Sequence, residues 1–266
     1  MTDQQQTNPT GLDAYKPAAI ARLVEEVGVA KAALPLVQLA TLAVLAGAFI
    51  ALGGAFYTAA LIGSVPGSGA ARLLGGVAFS LGLILVVVGG AELFTGNALM
   101  TMAAVDRRIG PGALLRNWLV VYTGNMAGAL LVAALMAATG LLDGPMGEVA
   151  ARIASAKLAL PPVEAFARGV LCNILVCLAV WLSLAARDVA GKILAILWPI
   201  TAFVTLGLEH SVANMYLIPQ GWAAGLSPSA AGFAANLLPV TLGNIVGGAG
   251  GVALAYWLAY RPGRVP

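Results

Sequence analysis

The chain has 266 residues, 60% hydrophobic and only 9% charged, with a formal net charge of +3. A soluble domain carries roughly 25% charged residues, so a composition this apolar excludes a soluble enzyme domain and makes the bilayer the natural solvent. The small, dispersed positive charge also argues against nucleic acid as a partner.

In chain order, residues 1–34 are polar and mixed in charge and read as an N-terminal cytoplasmic tail. The tail has no apolar core followed by a small-residue cleavage site, so no signal peptide is expected. Within it, Ala18 to Lys31 fits a short amphipathic helix on the membrane surface. Six apolar units follow, at about 35–63, 71–105, 114–141, Pro162 to Ala186, 192–220 and 232–260. They are too long for the alternating pattern of a membrane barrel and suit helices of about 20 residues or more. The second is interrupted near Glu92 to Asn97 and the fifth near Glu209. Residues 35–260 therefore form one all-α polytopic domain of six transmembrane helices, with helices 2 and 5 broken, and 261–266 form a C-terminal tail. Placing both termini in the cytoplasm puts ten Lys and Arg residues inside against four outside (Arg72, Arg152, Lys157 and Arg168), which satisfies the positive-inside rule. Cys172 and Cys177 lie in an apolar run and read as small core residues.

An internal repeat organises the polar residues. GAELFTGN (90–97) and GLEHSVAN (207–214) match at Gly90/Gly207, Glu92/Glu209 and Asn97/Asn214, an offset of 117. GNMAG (124–128) and GNIVG (243–247) match at an offset of 119. Two matches in near-constant register imply two halves, about 35–141 and 162–260. Three helices per half make the repeat inverted, which places a translocation path at the midplane between discontinuous helices.

Glu92 and Glu209 are costly within a membrane unless paired. Their symmetric placement suits matched acceptors for backbone N–H groups freed at the breaks. His210 is the only histidine and aligns with Leu93 in the first half. A residue that breaks the symmetry is a candidate to face the substrate, and an imidazole there can donate to an anion or exchange a proton. Thr95 becomes a donor on the path if the helix unwinds around Gly96. Asn125 and Asn244 suit either interhelical hydrogen bonds beside close-packed glycines or contact with the pore. Lys157 is a solvated loop lysine or a cation that concentrates anions at a mouth.

Other classes fail on specific counts. No H-E-x-x-H or other metal cluster supports a protease, one histidine rules out bis-histidine haem, and there is no P-loop. No metal, cofactor or enzymatic activity is expected.

The stretches GGAELFTGN, GLEHSVANMYLIP and LLPVTLGNIVGG resemble the formate/nitrite transporter family. AGAFIALGG (46–54), FSLGLIL (79–85), NWLVVYTGN (117–125) and VCLAVWLS (176–183) carry the resemblance through all six units. It implies a homopentamer in the bacterial inner membrane, with one aquaporin-like pore per protomer and lipid filling the central hole. Each pore would pass small monovalent anions, with formate first, nitrite as runner-up and hydrosulfide third. The resemblance makes His210 the pore histidine, Glu209 its adjacent glutamate, Thr95 the loop threonine and Asn244 the pore-side asparagine of the sixth helix. Lys157 and Asn173 match vestibular residues. Phe79 and Phe203 match an outer constriction, and Leu83, Leu93, Phe94 and Val176 an inner one. Protons would be co-substrates, and the N-terminal segment would gate the inner mouth according to pH. A non-conducting anion sensor or assembly protein on the same scaffold is the alternative from another class.

Overall fold

The computed structural model describes residues 13–260; the C-terminal tail at 261–266 and residues 1–12 lie outside them. The helices are α1 (Pro17–Ala32), α2 (Leu36–Ala60), α3 (Gly69–Gly89), α4 (Thr101–Val105), α5 (Pro111–Ala138), α6 (Pro145–Leu158), α7 (Pro162–Ala185), α8 (Val189–Leu206), α9 (Ser211–Ala223), α10 (Ala230–Ile245) and α11 (Ala255–Ala259). Four begin with proline in the first turn (α1, α5, α6 and α7), where its missing N–H costs no hydrogen bond. Ser68, Asp188 and Ser229 cap α3, α8 and α10 through their side-chain oxygens. Among the described residues six helices are long and apolar enough to cross a membrane, the sixth running from Ala230 to Ala259. The chain is a multi-pass membrane protein.

Both expected breaks are present and end alike. Gly90 (φ 79°) stops α3 and Gly207 (φ 70°) stops α8, both in the left-handed region that favours glycine. Beyond each, the chain crosses the interior before a helix resumes, as a 3-10 turn (Gly96–Met100) running into α4 and as α9.

The halves repeat the same packing. α2 packs on α3 and α5, α7 packs on α8 and α10, and α3 meets α8 where the halves join. Small residues set these approaches: a methyl group at Gly128 would overlap the Val44 carbonyl oxygen, and one at Gly247 the Val170 carbonyl oxygen. Backbone cannot yield as a side chain does. Gly128→Leu is therefore expected to destabilise the protein by about 3 kcal/mol or more, read as a lower unfolding temperature in detergent. Gly112→Ala, which faces open space, is the control expected to cost nothing.

Two features were not anticipated. Residues 142–156, outside the repeat as read from sequence, mostly form α6, the counterpart of α1; the surface helices belong to the repeat. The sixth span is also not uniformly α-helical, since Val246–Leu254 is π-helical, over the stretch that packs its glycines on α7.

The helix expected at Ala18 to Lys31 is α1. It buries Ile20, Ala21 and Val24 against Leu99, Met102 and Trp181. Glu25 is buried with them; its Oε2 accepts from Arg108 Nη1 at 3.2 Å while Oε1 has no partner. Burial raises the Glu25 carboxyl above its usual 4.5, Arg108 opposes the rise, and Asp106 and Glu26 add to it. The docked helix thus binds a proton more readily than the free one. The contribution of Glu25 to docking is greatest below pH 4.5 and is lost as pH rises through the raised value. Hydrogen-exchange protection of α1, corrected for the intrinsic rate, is expected to fall over that window, and Glu25→Gln to flatten the dependence. An unchanged slope in Glu25→Gln would place the titrating group elsewhere.

Candidate functional site

Each break is held by one asparagine from the third helix of its half. Asn125 Oδ1 accepts from the Phe94 N–H (2.9 Å), and its Nδ2 donates to the carbonyls of Ala43 (2.7 Å) and Glu92 (2.9 Å). Asn244 Oδ1 accepts from the Ser211 N–H (2.9 Å), and its Nδ2 donates to the carbonyls of Gly169 (2.8 Å) and Glu209 (3.0 Å). This explains the repeated Gly-Asn-x-x-Gly motif. The glycines bring the helices close, and the amide serves backbone groups that no membrane lipid satisfies. The amide of Asn244, implied to be pore-side, is thus bonded to backbone groups of the second break.

The carboxylates are paired differently from expectation. Glu92 accepts from Lys31 Nζ (2.6 Å) and Asn97 Nδ2 (2.7 Å), and Glu209 from Lys157 Nζ (2.9 Å) and Asn214 Nδ2 (2.6 Å). Neither carboxylate binds freed backbone N–H groups. A buried carboxylate needs a counter-charge, and the asparagines already serve the backbone. Asn97 and Asn214 donate in turn to Asn117 (2.8 Å) and Asn236 (2.8 Å). Sequence reading missed Lys31, Asn117 and Asn236. The last two share the offset of 119 with the glycine motifs, so that signal was available.

Two cavities approach each other along the axis between the halves. One, about 430 Å³, is lined by Lys31, Leu83, Glu92 and Leu93 among others. The other, about 300 Å³, includes Phe79, Lys157, Phe203, Glu209 and His210. Phe79 and Leu83 lie one turn apart on α3 yet line different cavities, so a short apolar wall separates the two. Phe79 and Phe203 meet edge to face at 5.5 Å, and Phe203 stacks on the His210 ring at 5.9 Å. Of the residues expected at constrictions, Phe79 and Phe203 line one cavity and Leu83 and Leu93 the other, while Phe94 and Val176 are in neither lining. Phe94 packs edge-on against Tyr122 (4.9 Å) because its N–H is tied to Asn125, and Val176 is buried away from both cavities.

Within the wall, Thr95 Oγ1 lies 2.8 Å from His210 Nε2. The two breaks therefore meet through one side-chain hydrogen bond. His210 Nδ1 accepts from the Ala213 N–H at 3.0 Å, so the ring is also the N-cap of α9. An Nδ1 that accepts carries no proton, hence the neutral ring bears its hydrogen on Nε2 and donates it to Thr95 Oγ1. The Thr95 hydroxyl hydrogen is then not used by His210. Asn173 also differs from its implied vestibular place. It is buried, and its Nδ2 donates to the carbonyls of Thr95 (3.1 Å) and Asn244 (2.6 Å). Cys177, buried as expected, donates to the same Thr95 carbonyl (3.4 Å).

A family model described as Formate/nitrite transporter matches residues 18–258. The chain belongs to the formate/nitrite transporter family. It is 41% identical to the formate channel FocA of Escherichia coli K12 over 93% of this chain and 95% of that relative. A solved FNT family ion channel superposes with a TM-score of 0.86 at 32% identity, covering 91% of this chain and 98% of that one. A pentameric formate channel with formate bound superposes with a TM-score of 0.74 at 37% identity, covering 85% and 98%. This family member therefore matches proteins named as channels over most of its length.

Proposed function

We propose that the protein conducts formate across the bacterial inner membrane, together with a proton, through one pore in each protomer of a homopentamer. The Thr95–His210 hydrogen bond between two lysine-bearing cavities carries this reading. The similarity to formate channels, one of them pentameric with formate bound, favours formate over nitrite. In this reading the termini and Lys31 face the cytoplasm, Lys157 faces outward, and lipid fills the hole at the fivefold axis.

The geometry supports one mechanism. Lys157 and Lys31, each paired with a glutamate, keep further Nζ hydrogens that can take an anion entering either cavity. The apolar wall makes bare passage of charge expensive, and small carboxylates with a pKa of about 4 are nearly all ionised at pH 7. The Thr95 hydroxyl donates to the anion, and His210 Nε2–H supports Thr95 from behind. His210 has no second proton to give, because Nδ1 is occupied by the Ala213 N–H. The pair therefore shares a proton with the substrate rather than delivering one, and the net proton comes from cavity water. Uptake into proteoliposomes of formate, nitrite and hydrosulfide, supplied separately across external pH, tests the assignment. Formate is expected to move fastest with alkalinisation of the medium; faster nitrite under matched gradients removes formate as the substrate, and no flux of any of the three supports a sensor on this scaffold.

A further inference from the structure

The cavity on the Lys157 side holds more positive charge than moving a monovalent anion requires. Its lining includes Arg72, Arg152, Lys157 and Arg168, and one carboxylate, Glu209. Lys157 is neutralised by Glu209, and Arg168 is tied to Glu164 at 3.1 Å. Among the described residues, Arg72 and Arg152 form no ion pair with any carboxylate. They come from different elements, Arg72 from the first turn of α3 and Arg152 from α6. A cation in a first turn opposes the helix dipole, so α3 gains nothing from Arg72 there. Arg72 instead folds over the bare backbone of Gly207, its Nη2 2.9 Å from where a Cβ would stand. Both line the same cavity, together with Tyr57.

A guanidinium binds a carboxylate through two parallel hydrogen bonds, and two unpaired guanidiniums suit two carboxylates. We propose that Arg72 and Arg152 form a binding site for a small dicarboxylate, whose occupancy plugs the Lys157-side cavity above Phe79 and Phe203. Two charges cannot cross the apolar wall that one crosses only with a shared proton, so the ligand blocks and does not pass. The blocking step rests on the conduction reading above; binding does not.

The test uses the full chain in vesicles, with malonate, succinate or glutarate on both faces. At least one of the three is expected to inhibit formate flux, and the concentration for half inhibition to rise tenfold or more in the Arg72→Gln, Arg152→Gln double variant. The Arg72→Lys, Arg152→Lys pair keeps charge without the fork and is expected to fall between. On the unmodified protein, the same diacid should protect Arg72 and Arg152 from phenylglyoxal, read by mass spectrometry, whether or not the variants fold. Protection without formate flux in any vesicle supports the site and sinks the conduction reading alone. Wild-type flux and labelling both insensitive to all three diacids would overturn the site, as would equal blocking of the double variant. Sulfate blocking as well as the best diacid would overturn the dicarboxylate class.

Discussion

His210→Asn is expected to lower formate flux about 100-fold, the usual loss when a preorganised donor is removed, while the protein still folds. Asparagine is a good helix N-cap, so its side-chain oxygen can replace His210 Nδ1 as acceptor for the Ala213 N–H. It is too short to support Thr95 Oγ1, now held at 2.8 Å. The pH profile separates this from general damage. Residual flux in the variant should follow the neutral acid alone, falling about tenfold per pH unit above a pKa of about 4. Wild-type flux should fall less steeply, because the Thr95–His210 pair accepts the anion itself. Unchanged flux and an unchanged slope in His210→Asn would refute proton sharing. His210→Leu copies the first half of the repeat and loses the cap too, an added cost of about 1 kcal/mol.

Asn244→Leu is expected to act on folding before transport. It leaves the Ser211 N–H and the Glu209 carbonyl without their partner, while the Gly169 carbonyl keeps its bond within α7. Each buried group stranded in this way costs about 1–3 kcal/mol, so the sum is about 2 kcal/mol or more. Asn125→Leu strands the Phe94 N–H and the Glu92 carbonyl and should cost a similar amount. Thermal unfolding in detergent reads both. An Asn244→Leu protein with normal stability and impaired flux would favour the pore-side role instead.

Much of this architecture was legible because inverted repeats write themselves twice. The glycines that end α3 and α8, the paired glutamates, and the asparagine beside each close-packed glycine all lie at a near-constant offset. What one residue does in the first half, its twin does in the second. His210 stood out for the opposite reason, since an apolar residue, Leu93, holds its repeat position, and Thr95 because unwinding around Gly96 would free its hydroxyl. What escaped notice follows from the same logic. Lys31 and Lys157 lie on surface helices joined to their halves by linkers of different length, so their offset departs from that of the core. The cationic partner of each glutamate was therefore invisible as a repeat, although a buried carboxylate required one. The position of Phe94 depends on which way a side chain turns at a broken helix, and those of Val176 and Asn173 on which face of α7 meets the breaks; no spacing rule specifies either.

The central claim is that Thr95 and His210 act on the substrate as one unit. Formate flux at fixed pH through the wild type, Thr95→Ala, His210→Asn and the double variant tests it most directly. The account predicts that the double variant loses no more flux than the worse single variant, because each single change already breaks the same 2.8 Å contact. Losses that multiply, with each substitution costing as much in the variant background as in the wild type, would contradict it.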